Sequence, residues 1–138
     1  LSEALFVETL RRSMAALPAH HAGWLAAARD PLTGHALALL HHDPAHRWTL
    51  ARLARAVSSS RSSLLERFSH YLKEPPMTYL ARWRLQLGAR YLESTNRSVL
   101  EVAGDVGYES EAAFNRAFRR EFGLPPGRYR RTRAVGGW

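Results

Sequence analysis

Residues 114–129 read FNRAFRREFGLPPGRY, and residues 64–79 read LLERFSHYLKEPPMTY. Laid over one another they place Phe114 on Leu64, Phe118 on Phe68, Pro125-Pro126 on Pro75-Pro76 and Tyr129 on Tyr79, each 50 positions apart. Apolar residues four apart followed by a double proline describe a helix that buries one face and then stops, because proline lacks an amide donor and clashes with the preceding turn. Further out, Leu53-Ala54 and Val57 recur as Val102-Ala103 and Val106, now 49 positions apart, so the copies differ by one residue inside a turn. Short helix, turn, second helix and proline stop, written twice, are two helix-turn-helix modules.

Capping residues set the other boundaries. Thr49 opens a helix over 50–56, Ser60 one over 61–72, Ser98 or its neighbour one over 99–106 and Ser110 one over 111–122, since a polar side chain ahead of a helix accepts from one of its orphan amides. Val57-Ser58-Ser59 and Gly107-Tyr108 are the turns, with Gly107 free to take a positive φ. A helix from about Met77 to Thr95 bridges the modules, with Tyr79, Leu80, Trp83, Leu87, Tyr91 and Leu92 at i, i+3, i+4 spacing. About 17 residues of helix span roughly 25 Å, enough with the modules' half-widths to match the 34 Å turn of B-DNA. Gly123 closes the helix before it, Pro125-Pro126 opens a last short segment to Tyr129, and the tail from Arg130 is expected to be loose.

Ahead of the duplication, Asp30-Pro31 starts a helix over Pro31–His42, and a small helix lies around Trp24–Ala28. Leu5, Phe6, Leu10, Met14 and Leu17 form a stripe on a helix over 2–17. That stripe either packs on the rest of the domain or meets an oligomer partner or a missing upstream domain. The start at Leu1 rather than Met is what a fragment shows. The expected fold is all-α: about seven helices in two helix-turn-helix subdomains joined by a long linker helix, with an extra N-terminal helical segment. Residues 1–44 are that segment, 45–95 the first subdomain with the linker helix, 96–133 the second, and 134–138 a loose tail.

The length of 138 residues and 46% apolar content suit one helical domain. With no cysteine there is neither a disulfide framework nor a cysteine zinc site, and no long uncharged apolar run marks a membrane span. The net charge of +8 is segregated: residues 1–48 hold four cations and four acids, so the whole excess lies in 49–138. A basic excess confined to the duplicated region is what a phosphate-binding surface requires. All cations but Lys73 are arginine, which suits bidentate contact with phosphate or guanine and equally reflects a GC-rich genome.

In a helix-turn-helix the second helix lies in the major groove, with one face buried and one reading bases. In 61–72 the inward residues are Leu64, Phe68 and Leu72 or Tyr71, leaving Arg61, Ser62, Leu65, Glu66 and Ser69 outward; in 111–122 they are Phe114, Ala117, Phe118 and Phe122, leaving Glu111, Ala112, Ala113, Asn115, Arg116 and Arg119 outward. Ser60 and Ser110 sit at the positive ends of these helices, where phosphate seats.

Residues 49–133 resemble the C-terminal DNA-binding domain of the AraC/XylS family of bacterial transcription regulators. The second module carries the likeness most specifically, through Ala103-Gly104-Asp105-Val106-Gly107-Tyr108-Glu109-Ser110, Phe114-Asn115-Arg116-Ala117-Phe118-Arg119-Arg120, Phe122-Gly123, Pro125-Pro126 and Tyr129-Arg130. The first matches through Ser60-Arg61-Ser62, Leu64, Arg67-Phe68, Pro75-Pro76, Tyr79-Leu80 and Arg84-Leu85. Trp24-Leu25 and Asp30-Pro31 through Asp43-Pro44 resemble more weakly the segment joining that domain to a cupin-like sensor.

The resemblance implies base contacts from Ser62, Leu65 and Glu66 in the first module and Ala112, Ala113, Asn115 and Arg116 in the second; Arg61 joins them as an outward residue. Ser60, Arg67, Ser110 and Arg119 are the expected phosphate contacts. Two departures stand out: the first turn lacks the family's glycine, and Glu66 is acidic where cations are common. An acid there accepts from cytosine N4 or repels phosphate.

Rival chemistries fare worse. Leu64, Phe68, Phe114, Phe118 and Trp83 read as core rather than as base-stacking platforms. His42 and His46 have metal-ligand spacing, but Asp43-Pro44 breaks the helix between them. Glu109 and Glu111 flank a capping serine with no nucleophile nearby, so no catalytic residue, metal or cofactor is expected, and without cysteine the methyl-accepting chemistry of a repair relative is excluded. The expected partner is double-stranded DNA in the cytoplasm, with RNA polymerase as a second partner and any small-molecule effector acting only through a missing N-terminal domain. The competing reading is a protein-docking module whose DNA binding is degenerate, because Ala112, Ala113 and Glu66 are poor base readers. Because the front segment is neutral, deleting it is expected to leave DNA contacts unchanged, at some expense in stability.

Overall fold

Side-chain caps decide where this chain begins its helices. The structure, a computed structural model describing residues 21–136, contains eight helices and no strand among those residues. They are α1 (His21–Arg29), α2 (Pro31–His42), α3 (Leu50–Ala56), α4 (Arg61–Leu72), α5 (Pro76–Ser94), α6 (Val99–Asp105), α7 (Glu111–Phe122) and α8 (Pro126–Gly136). Asp30, Thr49, Ser60, Ser98 and Ser110 each stand at an N-cap in extended backbone and accept from the amide three residues on, satisfying a donor that helix geometry leaves unpaired. At Ser98 the bond is reciprocated, since the Ser98 amide donates to Glu101 Oε1 at 2.9 Å. The all-α expectation holds, and four helices, 31–42, 50–56, 61–72 and 111–122, have the expected bounds. The expected helix over 2–17 lies outside the described residues.

The chain divides into two compact units, with the division between Ala81 and Arg82, inside α5. In the first unit α1 and α2 pack against α4. Ala27, Ala36, Leu37 and Leu40 are at most 2% exposed. They complete a core around Leu53, Leu64 and Phe68, which are fully buried. A Cβ on Gly23 would fall 2.5 Å from the Tyr71 carbonyl oxygen, so α1 approaches the backbone of α4 at a distance only glycine allows. The Trp24 indole N–H donates to Tyr79 Oη at 3.2 Å, and His41 Nε2 lies 2.7 Å from the same oxygen. The boundary expected at 44/45 therefore cuts through packed structure. One apolar face on α4 is more than the short α3 can cover, and the neutral front helices cover the rest.

The second unit has its own core: Leu85, Ala89 and Leu92 from α5, Val102, Ala103 and Val106 from the α6 region, Phe114 and Phe118 from α7, and Tyr129 from α8. The Phe118 ring lies 5.5 Å from that of Phe114, 4.4 Å from Phe122 and 5.2 Å from Tyr129, within the range for favourable aromatic pairs. A Cβ on Gly88 would meet the Phe114 ring at 2.9 Å, so α5 and α7 touch across a glycine. The loose tail expected from Arg130, and for 134–138, is corrected as far as Gly136, because α8 continues that far. Its start is pinned by distant partners: Tyr129 donates to Glu93, and the Arg130 guanidinium donates to the carbonyls of Leu92 (3.0 Å) and Thr95 (3.3 Å). None of these is visible in a local pattern.

Candidate nucleic-acid interface

Each module turns its chain in the same way. In the first, the Ser58 amide donates to Arg55 O (3.1 Å) and the Ser59 amide to Ala54 O (2.9 Å). In the second, the Gly107 amide donates to Gly104 O (3.1 Å) and the Tyr108 amide to Ala103 O (2.9 Å). Both turns pass through positive φ, 56° at Ser58 and 105° at Gly107. The odd residue between the copies is Glu109, an extra position between the turn and the Ser110 cap. Ser60 Oγ accepts from the Ser63 amide at 3.1 Å and Ser110 Oγ from the Ala113 amide at 3.0 Å. Each cap takes the third amide and leaves the earlier ones at the positive end of the helix.

At about 100° per residue, the buried positions Leu64, Phe68 and Leu72 on α4, and Phe114 and Phe118 on α7, define inward faces. To one side of each inward face, beginning about 60–80° from its centre, lies one sector about 100° wide. It holds Ser62, Leu65, Glu66 and Ser69 on α4, and Ala112, Asn115, Arg116 and Arg119 on α7. All but Ser69 and Asn115, which are half-buried, are exposed. The structure thus brings together six of the residues expected to contact bases and adds two, Ser69 and Arg119. Both are already outward by helical phase, Arg119 as an expected phosphate contact. Ala113 falls about 60° outside the sector and is half-buried. Arg61, at the opening of α4, lies just past its other edge.

Arg67, expected on phosphate, is half-exposed and lies 3.4 Å from Asp30 Oδ1, while Asp30 Oδ2 accepts from Thr33 N at 2.9 Å. It projects to the side of α4 that faces the front helices, away from the reading sector. Other cations are spent on structure. The Arg97 guanidinium grips Asp105 through two bonds of 2.6 and 3.1 Å, and that carboxylate raises the arginine's pKa. Burial lowers the pKa of Arg84, partly opposed by Tyr108. Burial likewise raises that of the Tyr108 phenol, opposed by Arg84 and Arg120. Arg133 lies over the Tyr129 ring, 5.4 Å from its centroid. Arg55 and Arg61 in the first unit, and Arg116, Arg119 and Arg120 in the second, stay exposed on or beside α4 and α7. Among the described residues no His, Cys, Asp or Glu group could hold a metal ion, and no helix is long and apolar enough to cross a membrane.

Two capped, tightly turned helix pairs, each presenting a solvent-facing sector on its second helix, define a helix-turn-helix protein. A family model described as a helix-turn-helix domain matches residues 53–132. A putative AraC-like transcription regulator of Streptomyces lividans is 43% identical over 131 residues, which are 95% of this chain and 43% of that protein. The transcriptional regulator AlkR of Acinetobacter baylyi is 36% identical over 130 residues, 94% of this chain and 42% of its own length. Among solved structures, the DNA-binding domain of AdpA in complex with a target DNA superposes with a TM-score of 0.72 at 30% identity, covering 77% of this chain and 95% of that one. An AraC-type regulator from Chromobacterium violaceum gives 0.71 at 27% identity, covering 79% and 96%. The chain belongs to the AraC/XylS family of transcription regulators and carries that family's DNA-binding domain. It spans less than half the length of the curated relatives it matches.

Proposed function

We propose that this chain binds double-stranded DNA sequence-specifically in the bacterial cytoplasm, with α4 and α7 entering successive major grooves. The observation that carries this reading is the repetition of one solvent-facing sector on the second helix of both modules, within residues 49–138, which hold the entire positive excess. The domain acts without a cofactor and without catalysis. RNA polymerase is the expected protein partner, and any effector acts through a domain outside this chain.

Binding measured against salt tests the proposal. Neutralising about five to eight phosphates gives a slope of roughly −5 to −7 in log K against log[salt]. Arg116→Ala is expected to cost about 1–3 kcal/mol, concentrated at one or two base pairs of one half-site. A flat salt response, or no binding to any selected duplex at low salt, overturns the proposal in favour of a protein-docking module.

A further inference from the structure

The reading sectors of α4 and α7 share a geometry and carry opposite chemistry. On α7, Asn115, Arg116 and Arg119 supply long or two-pronged hydrogen-bond donors and a charge of two positives. On α4, Ser62 and Ser69 are short, Leu65 can form no hydrogen bond although 38% exposed, and Glu66 is an acceptor with a negative charge. Of four equivalent positions, three therefore carry donors on α7 beside Ala112, whereas α4 sets one carboxylate, one hydrocarbon side chain and two short hydroxyls there.

Resting on the DNA-binding reading above, we propose that the two modules read opposite classes of base, α7 purines and α4 pyrimidines. Guanine shows two acceptors in the major groove and needs a forked donor, and only α7 carries arginine within its sector. Adenine shows an acceptor beside a donor, matched by the amide of Asn115. A carboxylate such as Glu66 needs a base edge that donates. Adenine places its amino group next to N7, which repels the carboxylate, whereas cytosine offers its amino group without that neighbour. Leu65 finds its apolar counterpart in the thymine methyl, the hydrocarbon group on the major-groove edge. Glu66 also repels the phosphates that Arg116 and Arg119 attract, so the α7 half-site anchors the complex. The α4 half-site adds selectivity. The two half-sites then depend on different side chains, and the substitutions below tell such a pair from an inverted repeat of one block.

The test is selection of bound duplexes from a random library with the full 138-residue chain, alongside Glu66→Gln and Arg116→Ala, with circular dichroism as the control for folding. The wild type is expected to enrich one block with guanine and adenine on one strand and a second with cytosine and thymine. Glu66→Gln, by turning an acceptor into an acceptor–donor pair, is expected to move the cytosine position to adenine with a preference change of about tenfold. The other block stays unchanged. Arg116→Ala is expected to lose guanine from the purine block alone. Loss of guanine from both blocks in Arg116→Ala, or a cytosine position untouched by Glu66→Gln, overturns the base assignment while leaving DNA binding intact. Absence of any enriched sequence overturns both.

Discussion

The two modules solve one problem with different residues, and the second solves it at lower conformational cost. Both need a left-handed residue in the turn before the reading helix and another at that helix's end. The second module places Gly107 (φ 105°) and Gly123 (φ 86°) there, and the first places Ser58 (φ 56°) and Lys73 (φ 62°). An L-residue in that conformation costs roughly 1–2 kcal/mol relative to glycine. The second module also has a full capping box at Ser98 and Glu101, where the first has Thr49 alone. Covering differs too: the second borrows Leu85, Ala89 and Leu92 from α5, whereas the first depends on α1 and α2, outside the duplication. The first module is locally less self-sufficient and is completed by its front helices.

Removing residues 1–44 should break that comparison most severely. It takes away Leu37 and Leu40, each worth about 1.5–3 kcal/mol of burial, together with Ala27, Ala36 and the His41 and Trp24 contacts to Tyr79. That approaches the whole stability of a small unit. Expected are loss of α3–α4 helicity by circular dichroism, early proteolysis in 45–75 and loss of one half of a DNA footprint, while 96–133 stays protected. An intact two-half footprint would restore the view of these residues as a separable linker.

Next in size is Gly88→Ala. The added Cβ would stand 2.9 Å from the Phe114 ring, and overpacking of this kind costs about 1–3 kcal/mol. Because Phe114 seats α7, the second half-site should weaken while the first is unaffected. A melting temperature unchanged within about 1 °C would show that the ring yields freely.

The repeated tyrosines sharpen the comparison through pH. Tyr79 is held by His41 and Trp24, whereas Tyr129 donates to Glu93. Burial first, then Glu93, raises the pKa of Tyr129. A phenol whose folded pKa is raised contributes stability below its unfolded value near 10 and loses it as pH climbs through the folded value. Tyr129→Phe is thus expected to lose about 1–3 kcal/mol at neutral pH and to show a shallower decline above pH 10 than the wild type. Parallel alkaline curves for the two proteins would assign that decline to other groups.

Much of this architecture was legible from the chain. Asp30, Thr49, Ser60, Ser98 and Ser110 announce helices because capping is a local bond, and Leu64, Phe68, Phe114 and Phe118 announce the core because burial follows helical phase. What escaped depends on contacts between distant residues. The grip of Arg130 on Leu92 and Thr95 carries a helix through a tail that reads as loose, Arg67 pairs with a distant Asp30, and Gly23 and Gly88 mark approaches that only folded neighbours define. Within the site, Ser69 and Arg119, already outward by helical phase, share the sector with the expected base contacts, and Ala113 falls outside it.

The smallest expected effect addresses the turn positions directly. Ser58→Gly removes an αL cost of about 1–2 kcal/mol but gives the unfolded chain about 0.4–1 kcal/mol of added freedom. The net expectation is a gain of roughly 0.5–1 kcal/mol in the first unit. Lys73→Gly should gain less, because its side chain donates to the His70 carbonyl at 3.0 Å and that bond is lost. Gly123→Ala runs the comparison in reverse. Its Cβ would meet nothing within 4 Å, so the loss of about 0.5–1 kcal/mol is backbone strain alone. Chemical denaturation with the slope held constant resolves these shifts. If Ser58→Gly and Gly123→Ala shift stability in the same direction, the glycines of the second module are not what sets the two copies apart, and the front helices carry the difference.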